Sequence, residues 1–153
     1  MSQTGCVFCA VVGELRRVER CPNPGAPDQV YRRVAELPAS VAILAPDQYY
    51  RGYTLVVAKT HAAELCQLPE AESTQYYHDM LRVARAVAAV FQPRKLNYEV
   101  LGNTVPHLHW HLFPRYADDP NPLRPTWEHR HAPRLLSDQA YDETLVALRR
   151  HMS

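Results

Sequence analysis

The segment between Pro106 and Pro114 alternates histidines with large apolar residues, and it constrains the fold more than any other part of the chain. Successive side chains of a β-strand point to opposite faces, so a strand here places His107, His109 and His111 on one face. The opposite face is then a core surface made of Leu108, Trp110 and Leu112. The bracketing prolines favour a short extended segment over a helix. The pattern therefore predicts a strand that carries three imidazoles side by side.

Three imidazoles in register indicate a functional site, because imidazole moves protons, attacks electrophiles and binds metals near neutral pH. One interpretation is a catalytic zinc ion with three histidine ligands and an open position for water. The other is a nucleophilic His109 whose neighbours orient it and handle protons. The turn Gly102–Thr104 favours the nucleophile, because a flexible backbone, an amide and a hydroxyl suit the oxygens of a phosphate.

Short runs with strand-like composition precede this segment, and a long helical pattern separates the third run from the fourth. The runs are Gln29–Arg32, Val41–Leu44, Tyr53–Ala58 and Asn97–Leu101. The brief turn after the last run predicts antiparallel pairing with the histidine strand.

Helical spacing of apolar residues between Tyr76 and Phe91 predicts a long helix that begins near Pro69–Glu70 and ends before Pro93. A second helix is predicted from an N-cap at Ser137 or Asp138 to about Met152, and a short one from about Cys6 to Glu14. The expected fold is α+β: an antiparallel sheet of about five strands with all of its helices, among them the long helix and the C-terminal helix, on one side.

Length and composition are those of one ordinary globular domain over residues 1–153, with a proline-rich C-terminal segment at about 116–135. The formal net charge is +1, so nothing predicts binding to nucleic acid or to an anionic membrane. The sequence has neither a membrane-spanning apolar run nor a secretory signal, which predicts a cytoplasmic protein. In that compartment Cys6 and Cys9 are read as half of a metal site or as a redox pair.

These motifs together resemble the histidine triad (HIT) family of nucleotide hydrolases and transferases. The run 102–115 resembles the family signature of three histidines alternating with hydrophobic residues, and the run 51–61 resembles its earlier Gly-His-x-Leu-Val-x-x-Lys-x-His strand. The Cys-x-Phe-Cys sequence at residues 6–9 matches a zinc-binding subset of the family. Tyr53 replaces the histidine after the glycine, a departure that is not expected to disturb the chemistry.

The resemblance implies a role for each histidine of the triad. His109 would attack the α-phosphorus of a nucleotide and form a covalent nucleotidyl-histidine, while the backbone carbonyl of His107 fixes its tautomer. His111 would contact the phosphate or the bridging atom and protonate the leaving group. The implied phosphate contacts are Asn97, Asn103 and Thr104.

The resemblance also implies a structural zinc ion held by Cys6, Cys9, His61 and the side chain of His107. Two thiolates and two imidazoles are a common tetrahedral zinc set. Such a site would attach the N-terminus to the catalytic strand. The alternative is that the two cysteines are ordinary thiols and that His61 is a capping or surface residue.

The substrate is less constrained than the chemistry. The triad surroundings look closest to a diadenosine polyphosphate hydrolase branch, which favours a dinucleoside polyphosphate; the alternatives are a nucleoside phosphoramidate and an adaptor with little turnover. Ala45 stands where relatives bind the ribose, so Asp47 or Gln48 would have to replace that contact. Trp127 is expected to stack on a base or to anchor the homodimer that the family usually forms.

Overall fold

Six strands form one antiparallel sheet in the computed structural model, which describes residues 5–152; both ends of the predicted 1–153 domain lie outside the described residues. The strands are β1 (Arg20–Asn23), β2 (Ala26–Glu36), β3 (Ser40–Leu44), β4 (Thr54–Ala58), β5 (Lys95–Glu99) and β6 (His109–Arg115). The helices are α1 (Val7–Leu15), α2 (Glu70–Phe91) and α3 (Asp138–Arg150). Across the described ranges, none of these helices is both long and apolar enough to cross a membrane.

The order of the strands across the sheet is β1-β2-β3-β4-β6-β5, so β6 lies between β4 and β5. Alternating side chains divide the core between the two faces of the sheet. On β3, Ala42 and Leu44 face a cluster that includes α2 and α3, whereas Val41 and Ile43 face a second cluster that includes α1. The sheet is therefore covered by helices on both faces.

The α+β class and the antiparallel sheet are confirmed, and two details differ from the sequence prediction. A sixth strand, β1, lies in a proline-rich stretch, where its Pro22 is tolerated because β1 is an edge strand. Only α2 and α3 lie on the predicted common side, since α1 packs on the other face. Propensity alone does not reveal β1, because its pairing with β2 determines its conformation.

The histidine strand begins later than predicted. β6 starts at His109, and His107 lies before the first residue of the strand. Leu108 and Leu112 are buried in the α2/α3 cluster, and Trp110 packs against it, so the predicted core face is confirmed. His109 pairs with Val57 and His111 with Leu55 on β4, which places both imidazoles on the face that α1 covers.

A tight turn before β4 positions the strand next to β6. Gly52 has a φ of +86°, and a Cβ at this residue would lie 2.5 Å from the Phe91 ring. The buried side chain of Gln48 accepts a hydrogen bond from the Gly52 amide and donates to the carbonyls of Ala45 and Tyr53. The amide group proposed for ribose binding is thus used to hold this loop.

Candidate functional site

His109 and His111 line a cleft of about 360 Å³ on the α1 face of the sheet. Asn103 and Thr104, from the loop before β6, line the same cleft and are exposed to solvent. Its apolar wall includes Phe8 of α1 and the residues Tyr31 and Leu55 of the sheet. The structure thus brings four of the predicted catalytic and substrate-binding residues together around one opening.

The tautomer of His109 follows from a single hydrogen bond. Its Nδ1 lies 2.6 Å from the backbone carbonyl oxygen of His107, and a carbonyl oxygen can only accept, so Nδ1 carries the proton. The other ring nitrogen, Nε2, then has an available lone pair. Burial lowers the pKa of His109, which keeps this imidazole neutral at neutral pH. The central histidine therefore has the protonation state of a nucleophile.

Tyr53 is a site residue that the sequence analysis missed. Its hydroxyl lies 2.6 Å from Nδ1 of His111, and the two rings are stacked. Burial raises the pKa of Tyr53, so its hydroxyl keeps its proton. Tyr53 lies two residues before Leu55, the strand partner of His111, so the period-two rule applied across β4 and β6 is the signal that could have found it.

His111 is neutral at neutral pH. Burial, and then the nearby His109, lower the pKa of His111 to about 4. Bound phosphate would supply a negative charge that favours the imidazolium form instead. A hydroxyl both donates and accepts, so Tyr53 can bond to His111 Nδ1 in either protonation state. The pair is therefore able to take up and release a proton without losing its hydrogen bond.

Asn97 lies on β5, the strand next to the one that carries His109 and His111. It pairs with Phe113 rather than with His109 or His111. Its side-chain oxygen accepts a long hydrogen bond of 3.4 Å from Nη1 of the buried Arg115. Its predicted contact with phosphate stays a prediction.

Four predicted metal ligands converge on one point. Every ligand atom of Cys6, Cys9, His61 and His107 lies within 4.8 Å of the others. The Sγ atoms lie 3.3–3.5 Å from facing imidazole nitrogens, and Nδ1 of His61 lies 3.3 Å from Nδ1 of His107. A tetrahedral zinc ion with ordinary bond lengths separates its sulfur and nitrogen ligands by about 3.5 Å and two nitrogens by about 3.3 Å. The cluster can hold a metal ion of this size.

His107 links the cysteine–histidine cluster to His109. Its Nε2 donates a hydrogen bond of 2.8 Å to the carbonyl of Ala58, so its Nδ1 faces the cluster without a proton, as a metal ligand requires. Its own carbonyl holds Nδ1 of His109. One residue therefore connects α1, β4 and the start of β6.

A second cavity, of about 280 Å³, lies on the other side of His111. It shares His111, Tyr53 and Leu101 with the first cleft and extends along β6 to Phe113. Part of its wall is the C-terminal segment, including Trp127, which is 57% exposed. The indole thus belongs to a cavity beside the triad.

A family model described as the HIT domain matches residues 27–118. The protein Hit of Bacillus subtilis (strain 168) is 31% identical over 117 residues, covering 73% of this chain and 72% of that protein. Adenosine 5′-monophosphoramidase hnt1 of Schizosaccharomyces pombe is 29% identical over 118 residues, covering 72% of this chain and 74% of that protein.

Solved structures agree with this match. A histidine triad protein from Bradyrhizobium japonicum superposes with a TM-score of 0.72 at 29% identity, covering 80% of this chain and 91% of that chain. A Zn-bound histidine triad family protein from Mycobacterium smegmatis has a TM-score of 0.65 at 24% identity, covering 99% of this chain and 95% of that chain. The second likeness concerns the fold alone.

Proposed function

Because this chain belongs to the HIT family, we propose that it is a nucleotide hydrolase in which His109 attacks the α-phosphorus of its substrate. The observation that carries the proposal is the hydrogen bond from His109 Nδ1 to the His107 carbonyl, which leaves Nε2 as a nucleophile in a buried but open cleft. A protein that only bound nucleotides would not need this tautomer.

The reaction proceeds in two displacements. The lone pair of His109 Nε2 forms a bond to phosphorus, while the bond to the leaving group breaks and its electron pair stays on the leaving atom. His111 gives its proton to that atom. Water then attacks phosphorus, the bond to Nε2 breaks with its pair returning to the ring, and the proton from water returns to His111. Asn103 and Thr104 are proposed to donate hydrogen bonds to the phosphate oxygens.

We propose zinc as the ion of the cysteine–histidine cluster, because its donor set and separations fit tetrahedral zinc. Four protein ligands leave no open position, so the ion would supply structural cross-linking rather than chemistry. The predicted homodimer and cytoplasmic location stay predictions.

Two leaving groups remain in competition. The yeast relative is named as a phosphoramidase, which favours an amine leaving from a nucleoside phosphoramidate. The dinucleoside polyphosphate predicted from the sequence has a nucleotide as its leaving group, and the aromatic wall at Trp127 would suit its second base. The carboxylates that line the same cavity favour the amine.

The function is tested by incubating the purified protein with adenosine phosphoramidate and with diadenosine polyphosphate and measuring the release of adenosine monophosphate. We expect turnover of the phosphoramidate and a covalent adduct of the nucleotide on His109, detected by mass spectrometry after acid-free quenching. Binding of both compounds without release of product would support the adaptor alternative and contradict the proposal.

Replacing Tyr53 with phenylalanine is expected to lower kcat roughly 10-fold, part of the 10²–10⁴-fold that general acid catalysis contributes. Without the hydroxyl, Nδ1 of His111 loses the partner that supports its charged form. Activity needs a protonated His111 when the leaving group departs, so the alkaline limb of the pH–kcat profile should move to lower pH.

The matched control is Tyr76→Phe, which removes a buried hydroxyl that donates to the carbonyl of Val56. It should cost about 1 kcal/mol of unfolding free energy and leave the pH profile unchanged. An unchanged pH profile in Tyr53→Phe would show that the tyrosine only packs against His111.

A further inference from the structure

We propose that the cavity of about 280 Å³ beside His111 is a leaving-group site. It selects amines that carry a positively charged group at the end away from phosphorus, and Glu99 determines this selectivity. The inference rests on the proposed hydrolase function and specifies its substrate class. It also assigns a role to the C-terminal segment, which lies beyond the part of the chain that the family model matches.

The position of the cavity identifies its occupant as the leaving group. In a phosphoryl transfer the attacking and leaving atoms lie roughly in line, on opposite sides of phosphorus. His109 lines the first cleft, His111 lines both, and Phe113 lines only the second cavity. Alternate residues of a strand lie about 6.6 Å apart. Along β6 the proposed nucleophile His109 therefore comes first, the proposed proton donor His111 second, and Phe113, at the second cavity, third. A group leaving from the His111 side of phosphorus therefore enters this cavity.

Glu99 is the carboxylate nearest to His111 in the pairing of the sheet. It is the strand partner of His111 on β5, so the two side chains share a face. The hydroxyl of Thr126 lies 3.2 and 3.3 Å from its two oxygens and donates to the carboxylate. Burial raises the pKa of Glu99, but the Thr126 hydrogen bond and the charge of Arg115 favour its ionised form. The C-terminal segment thus holds an acceptor at the cavity wall.

The rest of the lining is aromatic and acidic, with two further imidazoles, those of His129 and His131. Tyr50 and Phe113 form aromatic walls with Trp127, and Asp47 supplies a second carboxylate. Nδ1 of His131 lies 3.6 Å from an oxygen of Asp47, so Glu99 is the carboxylate without a facing imidazole from the C-terminal segment. Among the described residues that line the cavity there is no lysine or arginine, so a polyphosphate would meet no permanently charged cation there. Carboxylates beside aromatic faces instead suit an ammonium or amine group on an apolar stem.

The test uses three adenosine phosphoramidates whose amines match in length. One derives from pentylamine, one from the corresponding diamine with a terminal ammonium, and one from the corresponding amino acid with a terminal carboxylate. For the wild-type protein at mildly alkaline pH, we expect kcat/KM to be at least about tenfold higher for the ammonium compound than for the carboxylate compound, equivalent to about 1.4 kcal/mol.

In Glu99→Gln this ratio should fall to within about twofold of unity, because the amide keeps the shape and removes the charge. The matched control is Glu128→Gln, which removes a carboxylate from the same segment, one that is outside the cavity lining and pairs with Arg124. It should keep the wild-type ratio.

The outcomes separate the inference from the function on which it depends. Equal rates for the ammonium and carboxylate compounds in the wild-type protein, or a ratio that persists in Glu99→Gln, would overturn the inference while leaving the hydrolase intact. Failure of the wild-type protein to hydrolyse any of the three compounds would reject the proposed function itself. The wild-type ratio needs no substitution, so a Glu99→Gln protein that failed to fold would not prevent a decision.

Discussion

His109→Asn is expected to abolish turnover, lowering kcat by roughly four orders of magnitude or more, as removal of a nucleophile does in other covalent hydrolases. Asparagine keeps a polar group near the His107 carbonyl but has no nitrogen lone pair that can attack phosphorus. The measurement is single-turnover release of adenosine monophosphate, with mass spectrometry to detect the covalent adduct. The adduct should be absent from the variant and present in the wild-type protein.

The pH dependence of the wild-type protein provides a second check on the nucleophile. A protonated Nε2 cannot attack, and burial lowers the pKa of His109. Activity should therefore persist below the ordinary histidine pKa and fall only when the pH drops through this lowered value. A nucleophile with an ordinary pKa would lose activity at higher pH.

The control for His109→Asn is His78→Asn, since His78 is an exposed residue of α2 on the opposite face of the sheet. It should retain wild-type rates and stability. Residual turnover above about one per cent in His109→Asn, after contaminating wild-type enzyme is excluded, would contradict covalent catalysis by this residue.

Cys9→Ser is expected to abolish binding of the proposed zinc ion and to lower Tm by about 10 °C, with the same shift produced in the wild-type protein by a strong chelator. The Sγ of Cys9 lies 3.3 Å from His61 and 3.5 Å from His107, so it belongs to the centre of the cluster. Without the ion, α1 loses its cross-link to the residue that orients His109. Activity should therefore fall together with stability.

The measurements are metal content by elemental analysis, thermal unfolding, and kcat. Cys66→Ser is the matched control, because Cys66 is exposed and lies outside the cluster. It should keep one equivalent of zinc and the wild-type Tm. The catalytic-zinc alternative makes a different prediction: there, His109→Asn rather than Cys9→Ser would release the metal.

The sequence was sufficient to identify the parts of the site that depend on local pattern. The alternation around His109 and the core face at Leu108 and Leu112 follow from the two-residue period of a strand. The long helix between Glu70 and Phe91 follows from helical spacing and from the proline beyond its end. Each of these signals lies within a few residues of the feature that it predicts.

The ends of the histidine strand depended on tertiary structure. Ideal alternation predicted a strand through His107, but β6 begins only at His109, and the His107 ring lies among the cysteines on the α1 side of the sheet. Pairing with β4 and the hydrogen bond to Ala58 decide this, and neither partner is near His107 in sequence. The edge strand β1 was missed for the same reason, since its conformation depends on β2.

What the sequence determined by itself is the type of chemistry, because imidazoles, thiols and their spacing are properties of residue identity and local geometry. Only the tertiary structure decided which groups act together. The contact of Tyr53 with His111 spans 58 positions, and that of Thr126 with Glu99 spans 27. Such contacts arise when separate strands and the C-terminal segment pack into one sheet-based core, and the packing free energy that selects them is a property of the whole chain.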